Sequence, residues 1–271
     1  MAVPLRPVAT RPGPVPVISA YREYRAAPAV ARAATCTWQA VPGWSRRLRL
    51  LPDGCLDLVW DGRHARFVRP ADRHVRRPVG DAGLVTGIRI RPGWAAVITG
   101  TPMRHLPEVA DLADAWDLAA ARQLANALAA ANSQAARRAV LTEAVASRLA
   151  SHGGPDPRVL AAVSVLGNPR ATVGTASRHA ELSSRQLRRL FDEHIGLPPK
   201  TLHSILRFQR LRAWLATPGP AAATLARAAV DCGYFDQAHL CRDCARLSGL
   251  TPATLLAASA SAAQLRFYGA R

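Results

Sequence analysis

Arginines at helical spacing are the clearest chemical feature of this sequence. Arg185, Arg188 and Arg189 recur at intervals of three and four residues. On a helix these guanidinium groups lie on the side opposite an apolar stripe formed by Leu187, Leu190 and Phe191. A guanidinium group binds phosphate, or guanine O6 and N7, through two parallel hydrogen bonds. The pattern therefore predicts a helix with one buried face and one face that binds anions.

A second stretch, from Gln237 to Leu247, has the same layout. Its apolar positions are Leu240, Cys244 and Leu247, and its outward positions are Gln237, His239, Arg242 and Arg246. Glutamine can pair with the edge of adenine, as arginine does with guanine. We therefore predict a second helix with a polar outer face.

Start and stop signals define the helices that position these side chains. Ser183 and Asp236 have the residue types that cap helix N-termini, and Thr172 and Thr224 precede a shorter helix before each one. Gly233 tolerates positive φ and ends the helix that starts after Thr224. Two short helices joined by a tight turn, the second with a basic outer face, describe a helix-turn-helix. A long helix over residues 199–216 joins the two units.

The C-terminal third resembles the DNA-binding domain of AraC/XylS-type regulators over about residues 157–258. The matching stretches are Leu182–Phe191, Gly196-Leu197-Pro198-Pro199, Arg207–Leu215, Ala229–Tyr234, Asp236–Arg242 and Gly249-Leu250-Thr251-Pro252. This resemblance implies a sequence-specific transcriptional regulator in which two recognition helices enter successive major-groove segments of double-stranded DNA. Carried over by position, the base-facing candidates are Arg185, Arg188, Arg189, Gln237, Ala238, His239 and Arg242.

The sequence departs from the family pattern at four positions. Glu181 stands in the first turn where glycine is common, and Ser177 stands where alanine is common. Leu240 and Cys244 replace two aromatic residues of the second recognition helix. Since Cys244 is smaller than an aromatic residue, we expect looser packing of that helix.

The charge balance agrees with an anionic partner. The net charge is +18 and the isoelectric point is about 11.4, which favours nucleic acid. The charge is not concentrated, however, since residues 155–271 have a net charge of +8 and residues 1–154 have +10. Lys200 is the only lysine, so coding bias towards arginine and a merely basic surface remain the alternative explanation.

Five cysteines in 271 residues do not suggest a disulfide framework. Cys232, His239, Cys241 and Cys244 cluster in sequence, so a zinc site and a redox switch at Cys241 are alternatives. The resemblance places Cys244 in the core, and we predict no metal and no cofactor.

Two alternative functions remain. One is a DNA-repair alkyl-transfer protein that uses Cys36 or Cys55, and the other is a constitutive DNA binder. No phosphate loop, catalytic triad or carboxylate pair stands out, so we predict that the protein is not an enzyme.

The N-terminal half has short strand-like runs separated by turn residues. The runs are residues 47–51, 55–60, 66–68 and 84–90, with turns at Pro52-Asp53-Gly54 and Asp61-Gly62. This half resembles the β-rich, cupin-like sensor domain of some AraC-type regulators, which implies a small-molecule effector. The candidate ligand-binding residues are Asp57, Trp60, His64 and Arg89.

We therefore expect an α+β fold with an N-terminal β-rich cupin-like barrel, flanking helices and a C-terminal all-α double helix-turn-helix. The break at Ser151–Pro155 predicts a sensor or dimerisation domain over residues 17–151 and a DNA-binding domain over 155–260. The helices predicted at 115–131 and 133–151 either form a homodimer interface or pack on the barrel. RNA polymerase is a further candidate partner. Residues 1–16 are Pro-rich without an apolar signal core, and no run is long enough to span a membrane, so we expect a cytoplasmic protein.

Overall fold

The computed structural model describes residues 18–42, 47–78, 84–217 and 224–260. The Pro-rich residues 1–16 lie outside these ranges. The strands are β1 (Ile18–Arg25), β2 (Ala34–Pro42), β3 (Arg47–Leu50), β4 (Leu56–Trp60), β5 (Ala65–Val68), β6 (Val75–Pro78), β7 (Val85–Ile90) and β8 (Val109–Asp111). The helices are α1 (Ala95–Thr99), α2 (Leu118–Ala130), α3 (Gln134–His152), α4 (Pro157–Leu166), α5 (Val173–His179), α6 (Ser184–His194), α7 (Pro199–Ala216), α8 (Leu225–Cys232), α9 (Gln237–Ser248) and α10 (Pro252–Ala260).

Six of the strands form an antiparallel sheet in the order β1-β2-β7-β4-β5-β8, and β3 pairs with β6. The predicted turn at Asp61-Gly62 is confirmed, since it joins the antiparallel strands β4 and β5. The Asp61 carboxylate accepts the backbone N–H groups of Arg63 and His64, which closes the turn. Strand β8 is a three-residue edge strand that was not predicted from the sequence, because so short a segment has no measurable periodicity.

Side chains along the central strands point alternately to the two faces of the sheet, and helices cover one of these faces. Leu56, Leu58 and Trp60 of β4 are buried in the same core as apolar residues of α1, α2 and α3. Asp57 lies between Leu56 and Leu58 in the strand, so its side chain points to the opposite face of the sheet. The apolar stripes of the two long helices belong to this core, with Leu124 and Leu128 from α2 and Leu141, Val145 and Leu149 from α3. The sequence left two alternatives for these helices, a homodimer interface or packing on the strand-rich half. Their apolar faces are used for packing on the sheet.

The C-terminal helices begin where the capping residues predict. The side chains of Thr172, Ser183, Thr224 and Asp236 each accept a backbone N–H from the first turn of the following helix. Gly233 has φ +80° and ends α8. The helices share a core around Phe191 and Phe208, and Cys244 is buried in it, as the resemblance implied. The α+β class is confirmed.

The turn between α5 and α6 explains two of the departures from the family pattern, those at Glu181 and Ser177. Glu181 has φ +54° and is the only described non-glycine residue with positive φ, which is why glycine suits this position. Ser177 is buried, and its hydroxyl donates a hydrogen bond to the Leu182 carbonyl oxygen across the turn. Serine therefore supplies a bond that alanine lacks.

The strand-rich half contacts the helical half directly. Leu51 belongs to the core of the C-terminal helices, and the Gln209 side chain of α7 donates a hydrogen bond to the Pro52 carbonyl oxygen. Gly54 has φ +79°, and a Cβ atom there would lie 2.5 Å from Cδ1 of Leu202. The turn at Pro52-Asp53-Gly54 thus packs closely on α7. Within the described residues, no helix is long and apolar enough to cross a membrane.

Candidate nucleic-acid interface

Helix α6 presents three uncommitted arginines to solvent. Arg185, Arg188 and Arg189 are all exposed, and none forms a hydrogen bond or ion pair with another described residue. They line an open groove of about 520 Å³ together with Ser183, Gln186, Asp192 and Pro198. A concave surface with three guanidinium groups and one carboxylate has a positive potential that attracts phosphate.

The rest of α6 fixes the direction of these arginines. Leu187, Leu190 and Phe191 are buried in the C-terminal core, so the helix cannot rotate without exposing them. A reciprocal cap holds its first turn, in which Ser183 Oγ accepts the Gln186 N–H and Gln186 Oε1 accepts the Ser183 N–H. The outer face is therefore held rigidly towards solvent.

Helix α9 presents a second outer face. Gln237, Ala238 and Arg242 are exposed. The side chains of Gln237 and Arg242 form no hydrogen bond or ion pair with another described residue. Leu240, Cys244 and Leu247 are fully buried on the opposite side. The predicted amphipathic pattern of this helix is thus observed.

His239 and Arg246 are less available than their outward spacing predicts. His239 Nε2 lies 3.7 Å from an Asp243 carboxylate oxygen, and its ring packs edge-on against Tyr234 with 5.3 Å between ring centroids. Arg246 is bonded to Asp243 at 3.0 Å. The same carboxylate also lies 3.4 Å from the Arg207 guanidinium of α7. Asp243 therefore contacts Arg207, His239 and Arg246, and it holds α9 against the long helix α7.

The four buried cysteines are unsuited to nucleophilic chemistry. Burial raises the pKa of Cys36, Cys232 and Cys244 to about 11, and it raises the pKa of Cys55 well above its ordinary value. The nucleophile in alkyl transfer is the thiolate, and these thiols are protonated at neutral pH. Among the described residues, no group of three His, Cys, Asp or Glu side chains could hold a metal ion.

The four candidate ligand-binding residues do not converge. Asp57 and Arg89 are opposite each other on β4 and β7, with Arg89 Nε 3.3 Å from Asp57 Oδ1. Trp60 is buried in the core on the other face of the sheet, and His64 is exposed in the β4–β5 turn. The structure thus brings together two of the four.

Arg89 is already neutralised by carboxylates from three separate segments. In addition to Asp57, it pairs with Glu23 at 3.0 Å and with Asp53 at 3.1 Å. Asp57 also accepts a hydrogen bond from the Trp38 indole at 2.9 Å. Because these carboxylates come from β1, β4 and the Asp53 turn, their ion pairs with Arg89 hold the strands and that turn together.

Sequence reasoning did not single out Asp243 and Phe235. Asp243 follows Arg242 directly, and its spacing from His239 and Arg246 signals ion pairs on one helix. Phe235 is 92% exposed immediately before the cap of α9. No local pattern predicts that exposure, because an apolar residue at this position normally packs on its own helix.

Two family profiles match the chain. Residues 176–258 match the family described as "Helix-turn-helix domain". Residues 22–109 match the family described as "Domain of unknown function (DUF6597)". No curated protein matches the chain.

The chain is similar to solved structures of ToxT from Vibrio cholerae. One structure, from strain O395, shares 9% identity over 78% of this chain and 91% of that chain, with a TM-score of 0.42. ToxT bound to (E)-4-(8-methylnaphthalen-1-yl)but-3-enoic acid shares 10% identity over 78% of this chain and 92% of that chain, again with a TM-score of 0.42. A further ToxT structure shares 9% identity over 76% of this chain and 87% of that chain, with a TM-score of 0.39.

Proposed function

We propose that this chain is a DNA-binding transcription regulator of the AraC type, in which α6 and α9 read two successive major-groove segments of one DNA site. The match of residues 176–258 to a helix-turn-helix domain supports DNA binding. The reader in this proposal is the segment 155–260, with α7 as the rigid connector between the two units. The function is binding, and no bond is made or broken.

The observation that carries the proposal is the contrast between outer and inner faces of α6 and α9. Arg185, Arg188, Arg189 and Arg242 are exposed and uncommitted, whereas the apolar faces of both helices share a single core. An arginine without an internal partner loses no ion pair when it binds DNA. In this proposal these arginines and Gln237 contact base edges, Ala238 lies against the groove, and His239 positions α9 through Tyr234 and Asp243.

Phosphate contacts would supply most of the affinity, and base contacts the preference for one site. The capped N-termini of α5, α6, α8 and α9 offer backbone N–H groups to phosphates. Contacts with phosphates release counterions from the DNA, so binding should weaken steeply as salt concentration rises.

Selection of bound duplexes from a random pool tests the proposal with the full-length chain. We expect two half-motifs separated by about one helical turn, roughly 10 bp, because each unit enters its own groove segment. A single half-motif would show that only one unit reads bases. A pool without enrichment would contradict sequence-specific binding.

Replacement of Arg189 by alanine should weaken binding to the selected duplex by about 1–3 kcal/mol and relax the base preference at one position of one half-motif. Arg122→Ala is the matched control, since Arg122 is exposed on α2, outside the proposed reader. Fluorescence anisotropy on selected and scrambled duplexes measures both effects. Equal losses in the two variants would contradict the role of Arg189.

The sensor part of the hypothesis is a separate proposal. An effector that binds residues 17–151 can change DNA affinity only by binding two arrangements of the protein unequally. A thermal-shift screen over a metabolite panel tests it, and a stabilising compound must also change the affinity for the selected duplex. Contacts with RNA polymerase, a homodimer and a cytoplasmic location stay predictions.

A further inference from the structure

Phe235 is an exposed aromatic side chain at the start of α9. It is 92% exposed, more than any other large apolar residue that the structure describes. A phenylalanine left in water loses the favourable free energy of burying its ring. The residue directly precedes Asp236, the cap of α9, and stands two positions before Gln237. An apolar group is thus placed at the end of the helix that is proposed to enter the groove.

Phe235 has no packing role within the described protein. A residue before a helix cap often packs on the fourth residue of its helix, which here is Leu240. Leu240 is fully buried and the neighbouring Tyr234 is 5% exposed, whereas Phe235 is almost fully exposed. The usual internal contact is therefore absent for this residue.

Hydrogen bonds hold the backbone that directs Phe235 outward. Its N–H donates to His239 Nδ1 at 3.5 Å, and the His239 N–H donates to the Asp236 carboxylate at 2.6 Å. The His239 ring in turn packs on Tyr234. Because the backbone on both sides is fixed, the exposure of Phe235 is built into the turn.

We propose that Phe235 contacts the 5-methyl group of a thymine in the major groove and so determines specificity at one base pair. This inference rests on the proposed function of α9. The thymine methyl is the apolar group that base pairs present in the major groove, and phenylalanine is among the side chains that contact it. Gln237 and Arg242 beside it provide polar contacts that hold the ring in the groove.

The test replaces each thymine of the duplex selected by the wild-type protein with deoxyuridine, which removes only the methyl group. For the wild type we expect one position, in the half-motif read by α9, at which this replacement weakens binding about fourfold, the value of one buried methyl group. Phe235→Ala should bind the thymine duplex about fourfold or more weakly and should show no further loss with deoxyuridine at that position.

Two variants serve as controls. Phe235→Leu keeps an apolar group and should retain part of the thymine preference. Leu118→Ala removes an apolar side chain that is 54% exposed on α2, and it should change neither affinity nor thymine preference. Since Phe235 packs on nothing in the described protein, its replacement should leave the folded state unchanged, which circular dichroism checks.

The outcomes separate this inference from the function on which it rests. If Arg189→Ala weakens specific binding while Phe235→Ala keeps the affinity and the response to deoxyuridine, the inference is overturned and the proposed function stands. If the wild type is a dimer in solution and Phe235→Ala is a monomer, a second copy of the chain covers the ring, and the inference is overturned. If no duplex is selected, both proposals fall.

Discussion

At the scale of single residues, partners decide which charges can act on DNA. Arg188 and Arg246 are both exposed arginines, and only Arg246 is bonded to a neighbouring carboxylate. That carboxylate, Asp243, is one-tenth exposed and also faces Arg207 and His239. Removing one partner of a buried ion pair destabilises a protein more than breaking a surface pair does, because the remaining charge is left buried without a partner.

We predict that Asp243→Asn lowers the free energy of unfolding by about 1–3 kcal/mol, since Arg207 would lose its charged partner in a half-buried site. Asp231→Asn is the matched control, because Asp231 forms a solvent-exposed pair with Arg227, and should cost less than about 1 kcal/mol. Denaturation by urea measures both. Similar costs for the two variants would contradict a structural role for Asp243.

At the scale of elements, the α5–α6 turn sets the angle of the first recognition helix. It uses a left-handed residue, Glu181, and the hydroxyl of Ser177 to join the two helices. A left-handed conformation costs a non-glycine residue about 1–2 kcal/mol. The turn keeps this conformation because the helices on both sides are fixed by the buried residues Ala176 and Leu187.

We predict that Glu181→Gly raises the free energy of unfolding by about 0.5–1 kcal/mol, because the relieved strain exceeds the added entropy of the unfolded chain. The same change at Glu143, exposed within α3, should lower the free energy of unfolding by about 1 kcal/mol. The denaturation midpoints of the two variants should therefore shift in opposite directions. A downward shift for Glu181→Gly would contradict strain at this turn.

At the scale of the whole molecule, a buried charge cluster lies where the sheet meets α7. Asp53 is in the turn that packs on α7, and burial raises its pKa to about 6 against the attraction of Arg89. Asp57 repels it and Arg212 of α7 attracts it. The protonation of this cluster is thus linked to the contact between the two halves of the chain.

The sign of the pH dependence follows from the raised pKa of Asp53. Between pH 3.8 and about 6 the folded state holds the proton more tightly than the unfolded state, so this group's contribution to stability falls as pH rises. The contribution is fully present below pH 3.8 and lost above about pH 6. Asp61, Asp72 and Asp156 have lowered pKa values and act in the opposite sense.

We predict that Asp53→Asn isolates this contribution. The free energy of unfolding of the variant minus that of the wild type should increase by up to about 3 kcal/mol from pH 4 to pH 6 and level off above pH 7. Asp61→Asn, in an exposed turn, should not show that increase. Urea denaturation across this pH range gives the difference, and a flat curve for Asp53→Asn would contradict the linkage.

The sequence by itself determined the helical half, because helix signals are local. Caps at Ser183 and Asp236, the stop at Gly233 and the stripe at Leu187 and Leu190 act within a few residues of each other. The observed α6 begins directly after its predicted cap, Ser183. The strand-rich half was predicted only in outline, since strand pairing joins distant segments such as β2 and β7.

Only the tertiary structure decided which predicted side chains are free to act. Asp243 restrains His239 and Arg246, whereas Arg188 has no such neighbour. Three distant carboxylates pair with Arg89. Phe235 is left in solvent because Tyr234 faces the core instead. The position of a residue in the sequence determines the direction of its side chain on its own helix. Its interaction partners, however, come from distant segments of the chain, and only the complete fold brings these segments close to it.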